Sequence, residues 1–114
     1  MNHSADFLPA LRNVRAVMRA ANSLGHLPLS HWAVLLEILG QHNDTIRHCV
    51  ARTGYERTTV KTAIETLEAR GYLSITRFPS PTGGHRRISA TLTAAGATVL
   101  QALAAATLNH KLPA

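Results

Sequence analysis

The chain has 114 residues, enough for one compact domain and too few for two, and 46% of them are apolar, so a core is expected. No apolar run reaches the ~18–20 residues of a membrane helix, and the polar N-terminus with Asp6 does not resemble a signal peptide. The net charge is +6, and its excess falls on one segment: residues 1–44 are neutral on balance, whereas residues 45–92 carry eight Arg or Lys against Glu56, Glu65 and Glu68. Such a localised basic surface attracts a polyanion. The single Cys excludes an internal disulfide and fits a reducing, cytoplasmic interior.

Residues 6–24 place Leu8, Leu11, Val14, Met18 and Ala21 at helical spacing, with Arg12, Arg15 and Arg19 on other faces. Pro9 suits the first turn and Gly25 the stop. After "LPLS", Ser30 is the expected N-cap of a short core helix through Gln41, with Trp32, Leu35, Leu36 and Leu39 available for burial. Asn43, Asp44 or Thr45 caps a helix through "IRHCVAR".

The stretch "TGYERTTVKTAIETLEARGYL" then stops one helix at Gly54 and starts another, about Glu56 to Arg70, before Gly71. Gly54 permits a positive φ, so the second helix can cross the first steeply. Cys49, Val50, Val60, Ile64 and Leu67 are expected to face inward, with Cys49 a packed thiol. Arg57, Thr58, Lys61, Thr62 and Glu65 are left outward. "YLSITRF" and "RRISATL" alternate as two strands of a hairpin whose exposed tip, "PSPTGGH", is flanked by Arg77, His85, Arg86 and Arg87. Thr93 caps a final helix with Val99, Leu100, Leu103 and Leu108 to bury.

This order predicts a mainly α fold with a small β-hairpin. It is a winged helix-turn-helix with flanking helices, forming a single domain over 1–114: N-terminal helix 6–24, winged part 30–92, C-terminal helix 93–110. The start of the second motif helix is the end that enters a major groove. Arg57 there can grip guanine, Thr58, Lys61 and Thr62 can read bases or seat the helix, and Thr58 and Thr59 can meet phosphate. The wing's Arg77, His85, Arg86 and Arg87 reach phosphate or the minor groove.

Residues 29–96 resemble the MarR-type bacterial transcription regulators, in "LSHWAVLLEIL", the motif just quoted, "TRFPSPTGGHRRISATLT" and "LTAAG". The resemblance implies a homodimeric repressor on double-stranded DNA, with a small-molecule effector. Its recognition helix falls on 56–70 and its wing-tip Arg on Arg86, although Gly84 stands where the family has Asp. The family also usually adds a further C-terminal helix for dimerisation. The apolar faces Leu8/Leu11/Val14/Met18 and Val99/Leu103/Leu108 would supply the dimer contact. Metal sites and cofactors are not expected, because no His or Cys pair has ligand spacing on one helix face. Nor is enzymatic activity, because neither a phosphate loop nor a nucleophile elbow is present. Two alternatives remain: a winged-helix module that binds protein, and a plasmid or phage replication or partition factor.

Overall fold

The computed structural model describes residues 4–40, 44–79 and 87–111. In chain order these form α1 (Ser4–Gly25), α2 (Leu29–Glu37), α3 (Thr45–Thr53), α4 (Arg57–Ala69), β1 (Leu73–Phe78), β2 (Arg87–Leu92) and α5 (Ala94–Lys111). The chain divides into two compact units: a central one from Pro28 to Ala97, and a terminal one made of residues up to Leu27 and from Thr98 onward.

In the central unit α2 and α3 both pack on α4, while α3 also meets β2 and α4 meets β1. Val34, Leu35, Ile38, Cys49, Val60, Ala63, Ile64, Leu67 and Ala90 form a core with almost no solvent exposure. The strands pair antiparallel, with Leu73 opposite Leu92 and Phe78 opposite Arg87. This is the expected winged helix-turn-helix with a helix at either end. The expected hairpin tip, with Gly84, His85 and Arg86, lies outside the described residues.

Local chemistry explains most of the boundaries. Asp44 caps α3 by accepting from the Arg47 N–H at 3.3 Å. Gly54 closes it in the left-handed region at φ 78°, its N–H on the Val50 carbonyl. Gly71, at φ 79°, ends α4: its N–H meets the Glu68 carbonyl, and the next N–H, of Tyr72, meets Leu67. That bond pair is a Schellman motif, which satisfies two carbonyls the helix would leave open. Thr93 caps α5 as expected, accepting from the Gly96 N–H at 3.1 Å while its hydroxyl donates to the Gly71 carbonyl. A side chain at Gly96 would run into the Tyr72 carbonyl.

Several expectations fail locally. Helix α2 starts at Leu29, with Pro28 rather than Ser30 at its N-cap. The Pro28 carbonyl already takes the His31 and Trp32 N–H groups, and the Ser30 hydroxyl pairs with His31 Nδ1 instead. The helix stops at Glu37, short of Gln41. Its buried residues are His31, Trp32, Val34 and Leu35, followed by Ile38 at the C-cap, whereas Leu36 and, past the helix end, Leu39 are exposed. Val50 is only half-buried. Among the described residues no helix is long and apolar enough to cross a membrane.

Candidate nucleic-acid interface

The helix-turn-helix is fixed by bonds that the sequence pattern alone did not reveal. The Thr53 hydroxyl donates to the Cys49 carbonyl at 2.7 Å and accepts from the Tyr55 N–H, so one side chain ties the end of α3 to the turn. Thr45, fully buried, accepts from the Ala90 N–H at 2.9 Å and locks the start of α3 to β2. Glu37 reaches from α2 to α3, where its carboxylate meets His48 Nε2 at 3.2 Å and Arg52 Nε at 3.4 Å. Burial, then the Glu37 carboxylate, pushes the Cys49 thiol up to about 11. It is therefore protonated and inert at neutral pH. His31 is shifted the other way, down, by burial and then by the Arg70 charge.

Helix α4 buries Val60, Ala63, Ile64 and Leu67, which recur at helical spacing and turn its opposite face outward. Thr58, Lys61, Thr62 and Glu65 are exposed on that face, with Arg57 half-buried at its edge and Thr59 half-buried behind it. The side chains of Arg57, Thr58, Lys61 and Thr62 make no hydrogen bond or ion pair with another described residue. Glu56, at the N-cap, is extended and offers no side-chain acceptor to the first turn. The backbone N–H groups of that turn, with the positive end of the helix dipole, therefore stay open to an anion.

On the hairpin, Arg77 is not free. Its guanidinium holds the Glu68 carboxylate of α4 through two hydrogen bonds, at 2.9 and 3.3 Å. These bonds and the Glu68 charge raise its pKa further. Arg87 lies opposite Phe78 in the strand register, its guanidinium carbon 4.8 Å from the ring centroid. Stacking of this kind holds an exposed arginine in a defined direction. Both contacts join residues of ordinary surface type, and only opposite charge across the Gly71 turn hinted at the first. His85 and Arg86 lie outside the described residues. Among the described residues no group of three or more His, Cys, Asp or Glu is placed to hold a metal ion.

In the terminal unit, the apolar stripe of α1 faces solvent: Leu8, Leu11, Val14 and Met18 are 50–61% exposed. Leu108 is exposed too, whereas Leu103, expected on the same dimer face, is buried within the chain.

Comparison with known proteins agrees with this geometry. The model of the MarR family matches residues 27–88. Among solved structures, the fold is similar to RV1404 from Mycobacterium tuberculosis, with a TM-score of 0.74 and 14% identity over 93% of this chain and 72% of that one. It is also similar to BpsR of Bordetella bronchiseptica, whose DNA binding is regulated by 6-hydroxynicotinic acid (TM-score 0.62, 19% identity, 96% of this chain and 76% of that one). A third is Sco3205, a MarR family transcriptional regulator from Streptomyces coelicolor, seen in complex with DNA (TM-score 0.62, 16% identity, 94% and 69%). No curated protein matches.

Proposed function

The chain belongs to the MarR family, and we propose that it is a sequence-specific regulator of transcription, a repressor, that binds double-stranded DNA as a homodimer. Recognition helix α4 enters the major groove. Arg57, Thr58, Lys61 and Thr62 read base edges or seat the helix, and Thr59 and the first-turn N–H groups meet phosphate. Arg87 and the tip residues His85 and Arg86 hold backbone or minor groove, and Arg77 joins them once it leaves Glu68.

The observation that carries this reading is the outward, hydrogen-bonding face at the start of α4. Arg57, Thr58, Lys61 and Thr62 have no hydrogen-bond or ion-pair partner among the described residues, which leaves their donors available to DNA. The net charge of +5 over residues 45–92, which include this face, supplies the long-range attraction. The exposed stripe of α1 supports self-association, since four large apolar side chains in one row are poorly placed in water. Two half-sites about 34 Å apart then satisfy both recognition helices. An effector that changes DNA affinity is part of the same reading, as in the Bordetella protein.

The test is selection of bound duplexes from a random DNA pool, with protein mass in solution measured alongside. A pseudo-palindromic consensus and a dimer mass support the proposal. Absence of any salt-sensitive DNA affinity favours the protein-interaction module instead, and salt-sensitive binding of every duplex alike removes the sequence specificity.

A further inference from the structure

Helix α1 carries a feature that DNA reading does not use. Arg12, Arg15 and Arg19 line a trough of about 580 Å³ together with Ala16, Ala20 and Ser23 of the same helix and Ala106 of α5. All of these belong to the terminal unit. From residue 7 to residue 36 the sequence holds no acid, and none occurs from Thr98 to its end. The three guanidiniums make no ion pair with any residue whose side chain is described.

Like charges at spacings of three and four repel one another along a helix. Here the repulsion is left standing, beside a concavity whose volume is ordinary for a small-ligand site. Arg12 and Arg19 are about 10 Å apart along the axis, with Arg15 between them, so their long side chains can converge on one occupant. The Ser23 hydroxyl at the trough donates to the Ala20 carbonyl at 2.9 Å, so recognition falls to the guanidiniums. Their planar forks match carboxylate and phosphate alike.

We propose that this trough binds a small anion bearing two or more negative charges, a polycarboxylate or a phosphate compound. The small side chains of the three alanines leave room for a compact molecule beside the guanidiniums. The inference stands independently of the DNA-binding reading.

Isothermal titration of the full chain with citrate and with pyrophosphate tests it, at ionic strength held constant with NaCl and with acetate as the singly charged control. At least one of the two multianions should bind once per chain and at least tenfold tighter than acetate; the tighter one identifies the carboxylate or phosphate class. Arg15→Gln and Arg19→Gln should each weaken that binding about tenfold. Arg15→Lys should keep part of it, and Arg52→Gln, outside the trough, should leave it unchanged. Thermal melts of the variants confirm that each is folded. Binding no tighter than acetate, or equal binding by the Gln variants, overturns the proposal. It is equally overturned if the Gln variants lose DNA affinity in buffer free of multianions and show a shallower salt dependence, because the arginines would then be DNA contacts.

Discussion

Replacing Glu68 by Gln separates two roles for Arg77. In the free protein the Arg77 guanidinium is engaged by Glu68 through bonds of 2.9 and 3.3 Å, with the arginine side chain 53% exposed and the glutamate 35%. Gln preserves size and shape but removes the charge that competes with phosphate for Arg77. If Arg77 then joins the DNA contacts, one more phosphate is neutralised. The slope of log K against log salt concentration should steepen by about 0.9, which is about a 3.5-fold change in relative affinity between 50 and 200 mM salt. Fluorescence anisotropy with a labelled random-sequence duplex over that range measures it. At the low-salt end the variant should bind more tightly than the parent. Its preference for operator over random DNA should not change, since a phosphate contact carries no base information. The melting temperature should move by less than about 3 °C, because so exposed a pair contributes little to stability. An unchanged slope with weaker binding would refute the reasoning. Glu68 would then serve to seat the hairpin, with Arg77 never reaching phosphate.

Other outcomes follow from the buried contacts. Thr45→Val should lower unfolding free energy by about 1–3 kcal/mol in urea titrations, because it leaves the buried Ala90 N–H without an acceptor; Thr45→Ser should recover most of the loss. Gly54→Ala should cost about 1–2 kcal/mol from backbone strain alone, since φ is 78° and nothing lies within 4 Å of an added Cβ. The raised pKa of Cys49 means that the folded state keeps its proton to higher pH than the unfolded chain does. The thiol's contribution to stability is therefore intact below the ordinary thiol range and lost as pH climbs toward about 11. Iodoacetamide labelling at pH 7.5 should accordingly be slow in the native protein and fast in urea.

The sequence carried the element order because each boundary has a local cause. Asp44, Gly54, Gly71 and Thr93 cap, turn or stop the chain through their own backbone chemistry, and all four act where their residue types predict. Helix α4 was equally legible, since Val60, Ala63, Ile64 and Leu67 repeat at helical spacing and the outward face is what remains. The failures have tertiary causes. Leu36 and Leu39 are as apolar as Leu35, and only the neighbours of α2 decide which of them is covered. Ser30 lost the cap because Pro28 already offered its carbonyl. At the candidate interface, Arg77 read as one more free cation; its bond to Glu68 depends on how the turn at Gly71 brings β1 back beside α4. Thr45 read only as one of three possible caps, and its bond to Ala90 gave no signal because that partner lies 45 residues away.

The claim that the outward face of α4 reads base edges is tested most directly by Arg57→Ala. Its affinities for the selected operator and for random duplex should be measured at the same salt concentration. A bidentate arginine–guanine contact supports about 1–3 kcal/mol of discrimination. The operator-to-random ratio should thus fall by roughly five- to 150-fold, mainly through weaker operator binding. A ratio that stays where it was, with both affinities unchanged or reduced alike, would contradict the account.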